Sequence, residues 1–364
     1  MAGVFLKIGA IAFGGPAVHV AVMRQEVVAR RGWVGDQEFV DALAVTSVLP
    51  GPGSTQMSMV LGKRRAGWPG LVVGGVCFIL PAFALVLALA WAYVRYGESV
   101  VGGGLLYGVK PVVIAVVVQA VTALWPVAVK GPLAWLAAAG AVAGYFAGVD
   151  VLVLLGASAA LLAVVRNARR LRGGSAMAVV PLAAGAVHVA KVRTGSVFLE
   201  FLKLGAIVFG SGYVLLAFLQ RDLVHGLHWL STSRLLDAVA VGQLTPGPVF
   251  TTATFIGYLL HGLPGAALAT VGIFLPSFLM VAVVAPLIAH LRRSPWAAAA
   301  LDGVNAAALG LMAAVGFVLA GSAVIDPITG LLAAVALVAL VVGRVNSAWV
   351  VLAGAAVGVL HAVA

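Results

Sequence analysis

The chain carries the same stretch twice, and both copies lie inside long apolar segments. Phe5-Leu6-Lys7-Ile8-Gly9-Ala10-Ile11-Ala12-Phe13-Gly14 returns as Phe201-Leu202-Lys203-Leu204-Gly205-Ala206-Ile207-Val208-Phe209-Gly210, with eight of ten residues identical. The offset of 196 holds through Trp33/Trp229, Asp41/Asp237, Pro50-Gly51-Pro52/Pro246-Gly247-Pro248 and Thr55/Thr251. After one deletion it becomes 195 and continues through Pro69-Gly70/Pro264-Gly265, Pro81/Pro276 and Gly108-Val109/Gly303-Val304. A duplicated unit whose hydrophobic segments are broken by Pro and Gly at matching places has the layout of a secondary transporter.

Composition fixes the solvent. Hydrophobic residues make up 63% of the chain and charged residues 9%, whereas a soluble domain carries about 25% charged residues. Apolar runs of roughly 17 to 30 residues suit membrane-crossing helices, and they do not alternate as barrel strands would. The expectation is an all-α polytopic protein, multi-pass in a cell membrane, with the lipid bilayer as its surroundings. The lone Cys77 permits no internal disulfide. The first apolar run contains Lys7 and lacks a basic leader and a cleavage site, so it reads as a retained span. The net charge of +11 calls for orientation rather than nucleic acid. With the stretch 166–193 in the cytoplasm, 16 of the 22 Lys and Arg fall on one side.

Three regions follow: a first repeat over 1–166, a basic cytoplasmic linker over 167–196, and a second repeat over 197–364. The apolar runs of the first repeat are about 3–23, 66–94, 100–125, 132–149 and 151–165; those of the second are about 197–220, 265–290, 297–320, 327–343 and 347–363. Each Pro-Gly-Pro lies between the first two runs. Arg24, Arg30 and Arg31 precede that stretch in the first repeat and Lys63-Arg64-Arg65 follow it, so both flanks prefer the cytoplasm. A re-entrant hairpin satisfies both, leaving about five spans per repeat. An odd count inserts the second repeat upside down. The second repeat agrees, because its basic pair, Arg292-Arg293, has moved one loop onward. The competing arrangement has six spans per repeat, with 176–190 as an extra crossing.

Proline has no backbone donor and glycine frees the chain, so each Pro-Gly-Pro ends one half-helix and begins another at membrane depth. The half-helix that follows opens with Ser54-Thr55-Gln56 in one copy and Thr251-Thr252 in the other. Free N–H groups and the positive end of the helix dipole suit an anion there, and the hydroxyls add donors. The bland alternative is a kink that only shapes packing. Lys7 and Lys203 lie early in their spans, where snorkelling to the headgroups competes with binding. Lys110 lies deeper, about 15 Å into its span, and needs a counter-charge or a transported anion. Its repeat partner is the neutral Asn305. The acids pair across the repeats: Glu26 with Asp222, and Asp41 with Asp237. They are candidates for coupling or gating, against ion pairing with Lys7, Lys203 or an arginine. Asp302 reads as a partner for the cytoplasmic arginines.

Several chemistries are missing from the sequence. It holds no Gly-x4-Gly-Lys-Ser/Thr, no His-Glu-x-x-His and no Cys-x-x-Cys, so neither a nucleotide, a metal nor another cofactor is expected. Gly210-Ser211-Gly212 is no nucleophile elbow, and the seven histidines are dispersed. An enzyme is the weakest reading.

Phe13-Gly14-Gly15-Pro16, Leu49-Pro50-Gly51-Pro52, Gly67-Trp68-Pro69-Gly70 and Phe78-Ile79-Leu80-Pro81 resemble the chromate ion transporter family in its two-domain form. The second repeat adds Thr245-Pro246-Gly247-Pro248-Val249-Phe250-Thr251-Thr252, Gly272-Ile273-Phe274-Leu275-Pro276-Ser277-Phe278 and Asp302-Gly303-Val304-Asn305. Ser211 stands where the family often has glycine. The resemblance implies an inner-membrane exporter of chromate, driven by the proton gradient or membrane potential and conferring chromate resistance. On that reading Gly14, Gly15, Pro16 and Gly210 join the two Pro-Gly-Pro corners as motif backbone. Lys7, Lys110 and Lys203 would supply charge, and Ser54, Thr55, Gln56, Thr251, Thr252 and Asn305 would face the oxyanion. Sulfate or a related oxyanion is the same-class alternative, and a non-transporting membrane scaffold the different-class one. A homodimer is the open expectation for assembly.

Overall fold

The computed structural model describes residues 1–13, 15–47, 49–97, 99–171, 194–208, 214–284 and 294–364, and the regular structure among them is helical. The first repeat comprises α1 (Ala2–Ile11), α2 (Pro16–Arg24), α3 (Asp36–Thr46), α4 (Gly53–Tyr96), α5 (Val100–Ala128), α6 (Pro132–Phe146) and α7 (Val151–Leu171). The second comprises α8 (Thr194–Ile207), α9 (Leu215–Leu219), α10 (Thr232–Leu244), α11 (Thr252–Leu279), α12 (Pro295–Ala323), α13 (Pro327–Val341) and α14 (Ser347–Val363). Short π-helical stretches, Gln25–Ala29 and Gln220–Gly226, extend α2 and α9. Residues 172–193 of the expected linker over 167–196, Arg292-Arg293, Gly14, Gly210 and Ser211 lie outside the described residues.

The 44 residues of α4 would make a rod of about 66 Å, more than twice the bilayer core of about 30 Å. The chain instead reverses at Ala66 (φ −148°, ψ 29°) and Gly67 (φ 61°, ψ −146°). α11 does the same at His261 (φ −146°, ψ 28°) and Gly262 (φ 59°, ψ −147°). The positive φ needs glycine at both bends. The two arms of α4 then pack so closely that a Cβ on Gly62 or Gly70 would collide with the other's carbonyl. Gly257 and Gly265 repeat this contact in α11, where Thr254 and Thr270 also share a 2.7 Å hydrogen bond.

The long arms of α4 and α11 run antiparallel. Tyr93, near the end of α4, meets Phe255, near the start of α11, with ring centroids 5.1 Å apart. Lys63, beside the α4 bend, donates to the Ala282 carbonyl beyond the end of α11 (3.3 Å). Outside this pair the repeats exchange partners through small residues, which let backbones approach. Gly104 and Gly108 of α5 lie against Gly358 and Gly354 of α14, while Gly303 and Gly310 of α12 lie against Ser158 of α7 and Ala138 of α6.

The apolar run 3–23 is not the single span its hydropathy suggests. Gly15 (φ 82°) and Pro16 at the start of α2 break it, and the chain turns back. Lys7 Nζ lies 2.8 Å from Glu26 Oε1, 19 residues away, whereas a continuous helix would hold them about 28 Å apart. α3 and the short arm of α4 form a second hairpin around Pro-Gly-Pro: Trp33, ahead of α3, lies 6.3 Å from Phe5 and carries Arg65 5.9 Å above its ring. Among the described residues, five helical segments are long and apolar enough to cross a bilayer: Gly53–Tyr96, Val100–Ala128, Val151–Ala168, Val249–Val283 and Pro295–Ala323. α1, α6, α13 and α14 are apolar but shorter. In the first repeat, 3–23 is thus two helices and not one crossing.

Candidate functional site

The two Pro-Gly-Pro corners meet the ends of α8 and α1 inside the protein, each corner against the other repeat. Within Pro-Gly-Pro only the glycine has a backbone N–H to donate, and both glycines donate across to the other repeat. Gly51 N–H reaches the Val208 carbonyl at the end of α8 (2.7 Å), and Gly247 N–H reaches the Ala12 carbonyl at the end of α1 (3.2 Å). The offset of 196 converts one bond into the other. Both glycines hold positive φ, 109° and 93°.

The side chains at the two corners differ. At the first, Ser54, Thr55 and Gln56 are buried on the opening turn of α4. Gln56 Nε2 donates to the Pro50 carbonyl and lies 3.4 Å from Ser277 Oγ of α11. Thr55 Oγ1 and Gln56 Oε1 are buried with no hydrogen-bond partner among the described residues. At the second corner the hydroxyls bond their own backbone, Thr251 Oγ1 to Pro248 O and Thr252 Oγ1 to Val249 O, both at 2.8 Å. Leu215, Phe250 and Ala82 stand where the first corner has His19, Ser54 and Ser277. His19 is the residue that motif reasoning missed. It is buried, with Nδ1 3.0 Å from Ser54 Oγ and Nε2 3.1 Å from the Ala12 carbonyl. Its one sequence signal was its alignment with Leu215 inside an otherwise matching repeat.

The lysines are paired. Lys7 bonds Glu26, which also accepts from Arg30 (2.8 Å) and Arg31. Lys203 lies 2.5 Å from Glu200 and 2.9 Å from Asp222, with Arg221 Nε 3.3 Å from Asp222. These clusters tie α1 and α8 to the π-helical stretches, away from the chain breaks. Lys110 Nζ sits 2.9 Å from Asp237 Oδ1 and donates to Ser233 Oγ (2.9 Å), while Tyr93 OH donates to Asp237 Oδ2 (2.8 Å). That cluster joins α4 and α5 of one repeat to α10 of the other. Asp41 differs from its repeat partner: it is exposed and accepts from Gln37 (3.1 Å), so the expected pair of buried carboxylates reduces to Asp237. Asn305 is half-buried on α12. Arg166 pairs with Asp302.

A cleft of about 360 Å³ between α4 and α11 is lined by repeat-related pairs, Val76/Val271, Ile79/Phe274, Leu80/Leu275 and Phe83/Phe278. It is apolar, and the hydroxyl of Thr270 in its lining is engaged by Thr254 and the Ala266 carbonyl, so it suits a dianion poorly. The polar corner lies behind it: Phe78 meets the His19 ring at 5.4 Å, and Ser277 faces Gly51. The corner itself is closed, since a Cβ on Gly51 would overlap Ser277 Oγ and lie 2.8 Å from Gln56 Nε2.

The family model for chromate transporters matches residues 1–164 and 195–359. The chain belongs to the chromate transporter family. A chromate transport protein of Cupriavidus metallidurans is 35% identical over 97% of this chain and 90% of its own length. A probable chromate transport protein of Synechococcus elongatus is 33% identical over 92% and 87%, and a chromate transport protein of Pseudomonas aeruginosa 34% identical over 85% and 78%. No solved structure matches. Membership makes the chain a multi-pass membrane protein of an ion transporter family.

Proposed function

We propose that the protein exports a tetrahedral oxyanion, chromate above all, by alternating access, and that the opening turn of α4 is its binding site. The observation that carries this is the buried Thr55 hydroxyl, without a hydrogen-bond partner among the described residues, on a helix N-terminus beside Gly51. The first backbone N–H groups of a helix have no intrahelical acceptor, and an oxyanion stripped of water needs such donors. Thr251 and Thr252 belong to the second, less polar side of the same centre. Lys110, held by Asp237, acts as an interlock between the repeats. Glu26 and Asp222 anchor the hairpins with Lys7 and Lys203.

The antiparallel long arms of α4 and α11 support inverted repeats, and the reciprocal Gly51 and Gly247 bonds are the contacts that rocking would exchange. The gradient that drives export is the proton gradient or the membrane potential. In a Cys77→Ala background, single cysteines replacing Arg64 and Arg292 are expected to label from the cytoplasmic side. Labelling from opposite sides would sink the inverted arrangement.

Transport itself is tested with inside-out vesicles. They should accumulate labelled chromate under an imposed gradient, and Thr55→Val should lower the rate at least tenfold, a loss of about 1.4 kcal/mol or more. Vesicles that take up no chromate overturn the substrate assignment. Uptake of sulfate, with chromate acting only as a competitor, replaces it with the alternative.

A further inference from the structure

We propose that His19 is the residue that couples a proton to the oxyanion, by passing the Ser54 hydroxyl between its own ring and the bound anion. This rests on the binding site proposed above and adds what drives it.

The geometry fixes the tautomer. A carbonyl oxygen can only accept, so His19 Nε2, 3.1 Å from the Ala12 carbonyl, carries a hydrogen. In the neutral ring Nδ1 is therefore an acceptor, and Ser54 Oγ, 3.0 Å away, donates to it. The Ser54 hydroxyl is then unavailable to an anion at the α4 N-terminus. When a second proton arrives, Nδ1 becomes a donor and Ser54 Oγ its acceptor. The hydroxyl hydrogen turns free, one residue before the unpartnered Thr55 Oγ1. One proton thus adds a positive charge beside the site and releases a donor into it. Loss of that proton to water reverses both changes, with no bond made or broken besides N–H.

The surroundings make the two ligands interdependent. His19 is buried, with the Phe78 ring edge-on at 5.4 Å. Among the described residues no charged side chain touches it. On α1, Lys7 is held by Glu26 of the π-helical stretch; on α2, Arg24 is held by Asp36 (2.5 Å); on α4, Lys63 donates to Ala282 O at the bend. An imidazolium here has no counter-ion among the described residues, and burying a lone charge is costly. An oxyanion at the α4 N-terminus supplies that counter-ion. By linkage, each ligand then raises the affinity for the other by the same factor. The Ala12 carbonyl that holds the ring also accepts the Gly247 N–H, so the proton site shares an atom with the contact between repeats. Leu215 and Phe250 occupy the equivalent places in the second repeat, so the second corner has no counterpart of this proton site.

The test is chromate binding to the full-length protein in detergent, by calorimetry in two buffers of different ionisation heat, from pH 5.5 to 8.5. Chromate itself takes up a proton near neutrality, so wild type is read against His19→Gln, in which that contribution cancels. Glutamine keeps a donor for Ala12 O and an acceptor for Ser54. Wild type should take up about one proton more per chromate than His19→Gln, and its affinity should fall up to about tenfold more per pH unit as pH rises. Equal proton uptake in the two proteins overturns the proposal while leaving the binding site standing. Wild type that binds no chromate overturns both. Ser54→Ala, which keeps the ring, is the second variant: it should bind chromate with proton uptake below wild type, and unchanged uptake rules out the hydroxyl relay.

Discussion

Lys110→Met is expected to destabilise the protein by about 3–5 kcal/mol, the penalty for leaving one member of a buried ion pair alone. Asp237 keeps only 5% of its side chain exposed and Lys110 18%, so the carboxylate left behind has Tyr93 and Ser233 nearby but no cation of its own. The pair also bridges repeats, so its loss loosens α10, the helix that leads into the second Pro-Gly-Pro. Lys110→Met combined with Asp237→Asn should recover most of the loss, because the neutral amide still accepts from Tyr93. Thermal unfolding of the purified variants in detergent, with the two single changes completing the cycle, measures this. A Lys110→Met protein as stable as wild type would show that the pair holds nothing together. Lys7→Ala is the control. Its side chain is 45% exposed and Glu26 keeps Arg30 and Arg31, so its effect belongs to the range of about 0–1 kcal/mol found for exposed pairs.

How far such a site can be seen in a sequence is clear from its parts. The duplication and the two Pro-Gly-Pro breaks are local and chemical, so they are readable directly: no helix passes through Pro50-Gly51-Pro52. The ends of α5 and α12, and of α6 and α13, likewise keep the offset of 195 that the motifs set. The opening hairpin escapes hydropathy because the short break between Ile11 and Pro16 leaves the run 3–23 apolar overall. The lysines mislead for another reason. Depth along a helix shows that Lys110 needs a partner, but the partner, Asp237, lies 127 residues away and is chosen by packing between repeats. Asp41 and Asp237 look equivalent in sequence, yet Asp41 is exposed while Asp237 is buried and meets Lys110 of α5, whose repeat counterpart is the neutral Asn305. His19 is invisible to motif reasoning and visible to the repeat. A residue that breaks an otherwise matching pair of copies marks the place where the copies do different work.

That asymmetry yields opposite outcomes for one substitution made at both corners. Alanine at position 51 or 247 must adopt a positive φ, which costs about 1–2 kcal/mol at either site. The new methyl group meets different neighbours. At Gly247 it lies 2.9 Å from Ala82 Cβ and 3.3 Å from the Gly9 carbonyl, atoms that move only with their helices, so overpacking adds about 1–3 kcal/mol. At Gly51 it meets the far ends of Ser277 and Gln56, which rotate away cheaply but carry the polar corner with them. Gly247→Ala should therefore show the larger loss of thermal stability, and Gly51→Ala the larger loss of chromate affinity, tenfold or more. Adding Ser277→Ala to Gly51→Ala should relieve crowding without restoring affinity, since Gln56 stays displaced. A Gly51→Ala protein that binds chromate as wild type does would move the anion away from the first corner, whatever its stability.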